Sequence, residues 1–257
     1  MRSTAMWAEK RGAKLLAVLL ALLLWQLAAM LVDLPVLLVS PLQVLRRLLT
    51  IWREPDFFLT VWHSLLRIAL GFAAALVLGT FLAILAGRFP VLRTLLWPYV
   101  TVMKTVPVAS FIIISLIWLN AENLAVFISF LMVFPTIYLN VLQGYESADR
   151  ELLEMARVFR VPYARQLRHI YLPAVRPFLL SACSVALGMA WKSGVAAEVI
   201  AISKHSLGEK LYESKVYFLN VDLFSWTVVI VLSSFLFEKL ALAILRLVLA
   251  RGEGRVK

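Results

Sequence analysis

Residues 61–86 read VWHSLLRIALGFAAALVLGTFLAILA, and the only ionisable side chains in the run, His63 and Arg67, stand one turn apart near its start. A helix crosses a hydrocarbon core with about 20 mainly apolar residues. This run exceeds that length, and five other stretches behave alike, at about 15–32, 96–119, 123–143, 177–201 and 225–249. Of the 257 residues 62% are hydrophobic and 16% charged, with a mean hydropathy of +0.88, more apolar surface than one soluble domain of this length could bury. The expected fold is therefore all-α, a polytopic membrane protein with six transmembrane helices.

The third stretch is interrupted by Pro98 and Pro107, each lacking a backbone donor. Membrane helices tolerate prolines where neighbours satisfy the freed groups. The first stretch follows Lys10, Arg11 and Lys14. At about 18 apolar residues it is longer than the 7–15 of a secretory signal core, and it reads as a retained anchor.

The net charge of +11 suggests nucleic acid as a partner, but orientation explains it better. With the N-terminus inside, cytoplasmic segments collect sixteen basic residues, among them Arg88, Arg93, Arg150, Arg157, Arg160, Arg165 and Arg168. The opposite face holds six: Arg46, Arg47, Arg53, Lys204, Lys210 and Lys215. That excess places both termini in the cytoplasm and makes the lipid bilayer, not nucleic acid, the partner. The lone Cys183 has no disulfide partner and reads as a packing residue. His63, His169 and His205 lie in three different segments without metal-ligand spacing, so no metal is expected.

Between the fourth and fifth stretches lies ELLEMARVFRVPYARQLRHIYLP, residues 151–173. Leu152, Met155, Ala156 and Phe159 recur at i, i+3, i+4 and i+7, one apolar stripe on a short helix. Val161 precedes Pro162, which pushes it out of helical geometry, so the helix should stop near Arg160. Periodicity resumes with Leu167, Ile170 and Tyr171, and Pro173 and Pro177 mark entry into the next crossing. By residue chemistry alone such a loop can lie on lipid headgroups, or serve as a docking knob for a soluble partner, since Glu151 and Glu154 suit an anionic surface poorly.

Glu154-Met155-Ala156, followed by a turn and Ile170-Tyr171-Leu172-Pro173, resembles the EAA loop of the inner-membrane permease subunits of ATP-binding-cassette (ABC) importers. Trp62, Ser64, Arg67, Gly71, Gly79, Pro107, Ala109, Phe134-Pro135, Asn140, Gly144, Leu187-Gly188, Ala190-Trp191 and Glu198 resemble its nitrate/sulfonate/taurine branch, over about 57–242. The resemblance implies the type I importer permease fold. It also implies a binding-protein-dependent permease of the bacterial inner membrane, working as a pair, with separate ABC ATPase subunits and an extracytoplasmic solute-binding protein. The loop would then be a coupling helix seated in a cleft of the ATPase. Leu152, Met155, Ala156 and Phe159 would be buried there, Glu151, Glu154, Arg157 and Arg160 would orient the contact, and Pro162 would supply the break. The family usually has glycine where this chain has Arg160, and the added cation could contact an acidic partner.

No phosphate-binding loop is present; the nearest imitation, Gly188 to Gly194, has Trp191 where glycine must precede Lys192. The chain is thus expected to bind no cofactor and to be no enzyme, ATP being used by the partner subunit. The crossings also lack the paired groups of a membrane protease. Charges inside a membrane are functional candidates. Lys192 and Glu198, about 240° apart on a helical wheel, face different ways, whereas Trp191 and Glu198 share a face. Pathway candidates are Lys104, Pro107, Trp191, Lys192 and Glu198. Equally open is that Lys192 pairs with another helix, that Glu198 sits near the outer interface in reach of water, and that Lys104 snorkels. His63 and Arg67 should serve the outer interface, while Gly71, Ala74, Ala75 and Gly79 form a close-packing strip.

Residues 1–56 then form an anchor helix and an outer amphipathic segment, 57–242 the transport core, and 243–257 a basic cytoplasmic tail. The expected function is that of a permease subunit carrying a small solute, an anion among the candidates. A self-contained channel or secondary transporter is the alternative, and a transport-free membrane scaffold a second one.

Overall fold

The computed structural model describes the backbone of residues 2–32, 34 and 37–253, and the side chains of 13, 16–32, 34 and 37–247. The basic residues that precede position 13 or follow 247, counted above for orientation, lie outside the described side chains. Every regular element among the described residues is helical. In order they are α1 (Arg2–Val32), α2 (Pro41–Ile51), α3 (Phe57–Arg88), α4 (Pro90–Thr105), α5 (Val108–Ser115) and α6 (Ala121–Glu146). They continue with α7 (Arg150–Val158), α8 (Tyr163–Gln166), a π turn (Leu167–Tyr171), α9 (Leu172–Ala201), α10 (Leu207–Val216) and α11 (Asn220–Glu253). They cluster into two compact units: Met1–Phe58 with Lys210–Ile230, and Leu59–Glu209 with Val231–Lys257.

In the smaller unit, the Ser40 hydroxyl accepts from the Gln43 N–H while the Gln43 side chain accepts from the Ser40 N–H, a capping box that starts α2. The helix buries Val44 and Ile51 and leaves Leu42, Leu45 and Leu49 exposed, as an interfacial helix would. Arg47 donates to both Asp222 and Glu54. Burial alone would lower its pKa, but the hydrogen bonds and charges of those two carboxylates raise it, so the pair of contacts holds a permanent cation.

The larger unit is built on α6 and α9. Ile128, Val133, Ile137 and Val141 of α6, and Cys183, Ala186, Leu187, Ala190 and Ala197 of α9, are all buried. α3 lies on α6 at Gly71 and Gly79, and Ala75 and Ala83 continue the same buried row at four-residue spacing, while Ala74 of the expected strip is exposed instead. A Cβ at Gly71 would stand 2.3 Å from the Val126 carbonyl oxygen, and one at Gly194 would stand 2.5 Å from Ile68 and 2.6 Å from the Ser129 hydroxyl. Small residues thus let three backbones approach where no hydrophobic force draws helices together in lipid.

Four helices are long and apolar enough to span a membrane: Phe57–Arg88, Ala121–Glu146, Tyr163–Ala201 and Asn220–Leu247. The expected third crossing is instead a broken pair, α4 and α5, bent by 104°. Pro107 lacks an N–H and drives Val106 to an extended ψ of 131°, whereas Pro98 is carried inside α4. Counted as one span, the pair makes five, and the described side chains of α1 add a shorter apolar helix, Leu16–Val32. The tail expected from residue 243 onward continues α11 to Glu253; 254–257 lie outside the described residues. Beyond the 151–173 loop there is no separate entry at Pro173 and Pro177. α8 runs through the π turn into α9, with the Leu172 N–H donating to the Leu167 carbonyl. The missing N–H and bulky ring of Pro173 account for the widened turn.

Candidate functional site

The 147–166 loop is stapled at both ends of α7. Asp149 caps its start by accepting from the Glu151 N–H at 2.9 Å. At its end the Val161 N–H donates to the Ala156 carbonyl at 2.8 Å and the Arg160 N–H to the Arg157 carbonyl at 3.1 Å, the paired bonds of a Schellman motif. That motif puts its closing residue in left-handed geometry, and Arg160 has φ 51°. Helix and stop therefore fall where Pro162 and Arg160 led one to expect. The Gln166 side-chain amide then donates to the Val161 carbonyl at 2.7 Å, and Pro162 starts α8.

Of the expected stripe, Leu152, Met155 and Phe159 are exposed, by 41%, 50% and 74%, while Ala156 is buried and packs the knob from within. Val158, 77% exposed, adds to the outward apolar surface; its place three residues after Met155 was the available signal. Glu151, Glu154, Arg157, Arg160 and Pro162 are all exposed around it. Leu152, Met155 and Val158 on the nine-residue helix, with Phe159 at its C-cap, thus make an exposed apolar patch ringed by charge.

The intramembrane candidates are not brought together. Lys104 and Pro107 are exposed on the bent pair. Trp191 is buried, its ring 5.6 Å from Phe237 and its Nε1 without a hydrogen-bond partner. Lys192 is exposed, and among the described residues it makes no ion pair. As the wheel indicated, Trp191 and Glu198 face inward together and Lys192 faces the other way.

Glu198 is wholly buried. Ser64 Oγ donates to its Oε2 at 2.7 Å and the Gly208 N–H to the same oxygen at 3.4 Å, while Ser64 Oγ accepts from the Leu207 N–H at 2.8 Å. Arg67 stands 4.0 Å from Oε1, which has no hydrogen bond, and both its terminal nitrogens donate to the Lys204 carbonyl at 3.3 Å. Arg67 thus joins this cluster. A Cβ at Gly208 would lie 2.4 Å from the Glu198 Cβ, so only glycine lets the α10 backbone reach the carboxylate. The turn that brings it there holds Ile202 at φ 52° and His205 at φ 52°, strained geometry for a β-branched residue above all. The sequence held Leu207-Gly208 and Ser64 in view without joining them, because the contact spans 143 positions.

Residues 75–251 match the family described as the binding-protein-dependent transport system inner membrane component. The chain belongs to that family. A probable ABC transporter permease protein of Brucella melitensis is 30% identical over 184 residues, 71% of this chain and 74% of the relative. The taurine transport system permease protein of Escherichia coli is 30% identical over 207 residues, 77% of this chain and 75% of the relative. A nitrate import permease protein of Synechocystis is 29% identical over 171 residues, 63% and 62% of the two chains. In fold, the chain is similar to the crystal structure of an amino acid ABC transporter with histidines, with a TM-score of 0.59 at 17% identity, covering 80% of this chain and 96% of that one. A multi-pass membrane component of a binding-protein-dependent importer is what the helices and the family together establish.

Proposed function

We propose that the chain is the permease subunit of an ATP-driven importer, that α7 and its closing turn dock a separate ATPase from the cytoplasm, and that the solute is a small anion. The exposed set Leu152, Met155, Val158 and Phe159, ringed by Glu151, Glu154, Arg157 and Arg160, carries this reading. An apolar centre buried by a partner gives affinity, and a charged rim gives orientation. With both termini inside, the loop lies on the ATPase side. ATP-driven approach of two ATPases would then move the knobs of two permease copies, and the helices behind them would exchange outward- and inward-facing states. A binding protein on the outer face would deliver the solute.

Charge selects the solute class. Lys192 stands nine residues before the end of α9, about 14 Å at 1.5 Å per residue, which would be mid-bilayer depth with that end at the outer surface. A cation there faces water or an anion rather than lipid. Relatives are named for taurine, nitrate, aliphatic sulfonates and bicarbonate, three of them anions and the first bearing a sulfonate. Lys104 and Pro107, on the broken span, remain candidates for the same path. Trp191 and Glu198 support it from behind.

Co-purification with a candidate ATPase, on wild type, Glu154→Arg and Phe159→Asp, tests the docking. Both substitutions should reduce ATPase retention about tenfold or more while leaving membrane insertion intact. Undiminished retention in both would remove the docking role. Solute movement by the purified chain without any ATPase would restore the channel or secondary-transporter alternative.

A further inference from the structure

The ends of α3, α6 and α9 that adjoin the loop meet at one aromatic cluster. Tyr145, in the last turn of α6 and 7% exposed, stacks on Tyr171 of the π turn with centroids 4.0 Å apart and planes 5° from parallel. Its hydroxyl is 3.3 Å from that of Tyr163, the first residue of α8, whose ring lies 6.1 Å from Tyr171. Arg88, the last residue of α3, holds its guanidinium 3.9 Å from the centre of the Tyr163 ring. Beside it, a Cβ on Gly87 would stand 2.4 Å from the Tyr145 ring, so the cluster seats on bare backbone.

Apart from this cluster, the loop's own hydrogen bonds set its shape but its buried residues are few: Ala148 precedes α7, α7 buries only Ala156, and α8 buries nothing. Helices of nine and four residues are too short to hold their own orientation. The π turn has a purpose in this setting: one extra residue rotates the chain by about 100° relative to a regular helix, which determines where Tyr171 faces.

We infer that Tyr145, Tyr163, Tyr171 and Arg88 form a rigid seat through which displacement of the knob reaches α3, α6 and α9 together. They are positioning residues for ATP-driven transport, touching neither nucleotide nor solute. The seat's part in transport rests on the docking role proposed for residues 150–162; its grip on the loop does not. Aromatic stacking and the cation–π contact give the linkage direction as well as attraction, since both fail when a ring turns. Without the seat, the knob would still bind the ATPase but would tilt under load instead of pulling the helices.

A nitroxide on Val158→Cys, with the chain in lipid nanodiscs, tests the grip; native Cys183 is fully buried and stays unlabelled. Label mobility should rise about threefold in Tyr171→Ala and in Arg88→Gln, and remain at the parent value in Tyr171→Phe, which keeps the ring. Arg88 is exposed, so its variant folds even where Tyr171→Ala does not. In vesicles carrying the complex with its ATPase, radiolabelled taurine, nitrate and bicarbonate serve as probes. Uptake per ATP hydrolysed should fall about tenfold in the two disrupting variants, with hydrolysis retained and Tyr171→Phe rescuing the ratio. Unchanged mobility in both disrupting variants overturns the seat. Raised mobility with an unchanged uptake ratio overturns its part in coupling. Failure of the wild-type chain to retain any ATPase overturns the docking role instead, while the mobility result still decides whether the seat holds the loop.

Discussion

Arg160 occupies a left-handed backbone position that an L side chain enters at a cost of about 1 kcal/mol and glycine enters freely. The sequence marked this position, because the resembling family has glycine there, and Pro162 beside it told where the helix ends. What it withheld was that the turn keeps glycine's geometry with arginine in place. Arg160→Gly should therefore tighten the turn, with the Val161 amide exchanging hydrogen about fivefold more slowly than in the parent chain. The same change removes a cation from the rim of the knob, so ATPase retention should fall even as the loop becomes more stable. A faster-exchanging turn would mean that the arginine side chain stabilises it by more than the backbone strain costs. Glu198 marks the opposite limit of legibility. Its charge in a crossing was plain, but its burial depends on Ser64 and on a glycine in the first turn of α10, ten residues later, and neither partner announces the other along the chain.

At the scale of elements, hydropathy located the long helices but not the manner of their approach. The strip on α3 was readable as small residues; its true phase, Gly71, Ala75, Gly79 and Ala83, shows only against α6. Three glycines separate by what a methyl group would meet. At Gly71 it strikes the Val126 carbonyl oxygen at 2.3 Å, rigid backbone that cannot step aside. At Gly79 the nearest atoms belong to the Ile137 side chain at 3.2 Å, and at Gly188 nothing lies within 4 Å. Thermal unfolding in detergent should therefore rank Gly71→Ala as destabilising by about 2–3 kcal/mol, Gly79→Ala by less than about 1, and Gly188→Ala as neutral. Equal effects at 71 and 188 would contradict the close α3–α6 packing. Pro107 breaks the third apolar stretch for a reason visible in the sequence, yet composition alone could not say whether neighbours would hold the helix straight, and they do not.

For the molecule as a whole, the orientation expected from the distribution of basic residues underlies every functional step proposed, since it decides which face would meet an ATPase. The excess of arginine and lysine in the segments that include Arg88, Arg93 and the 150–168 run predicts residue 158 in the cytoplasm and residue 217 outside. Val158 is 77% exposed and Tyr217 70%, and Cys183 is sealed, so single cysteines at 158 and 217 report their sides without a background signal. In right-side-out vesicles a membrane-impermeant maleimide should label Tyr217→Cys and spare Val158→Cys; in inside-out vesicles the pattern should reverse. A span between residues 158 and 217 that folds back instead of crossing would move one of the two sites to the other face without altering either helix locally. Labelling of both from one side would therefore change the count of spans between α7 and α10. Labelling of residue 158 from the outside alone would take the knob away from any ATP-driven partner, and with it the importer mechanism.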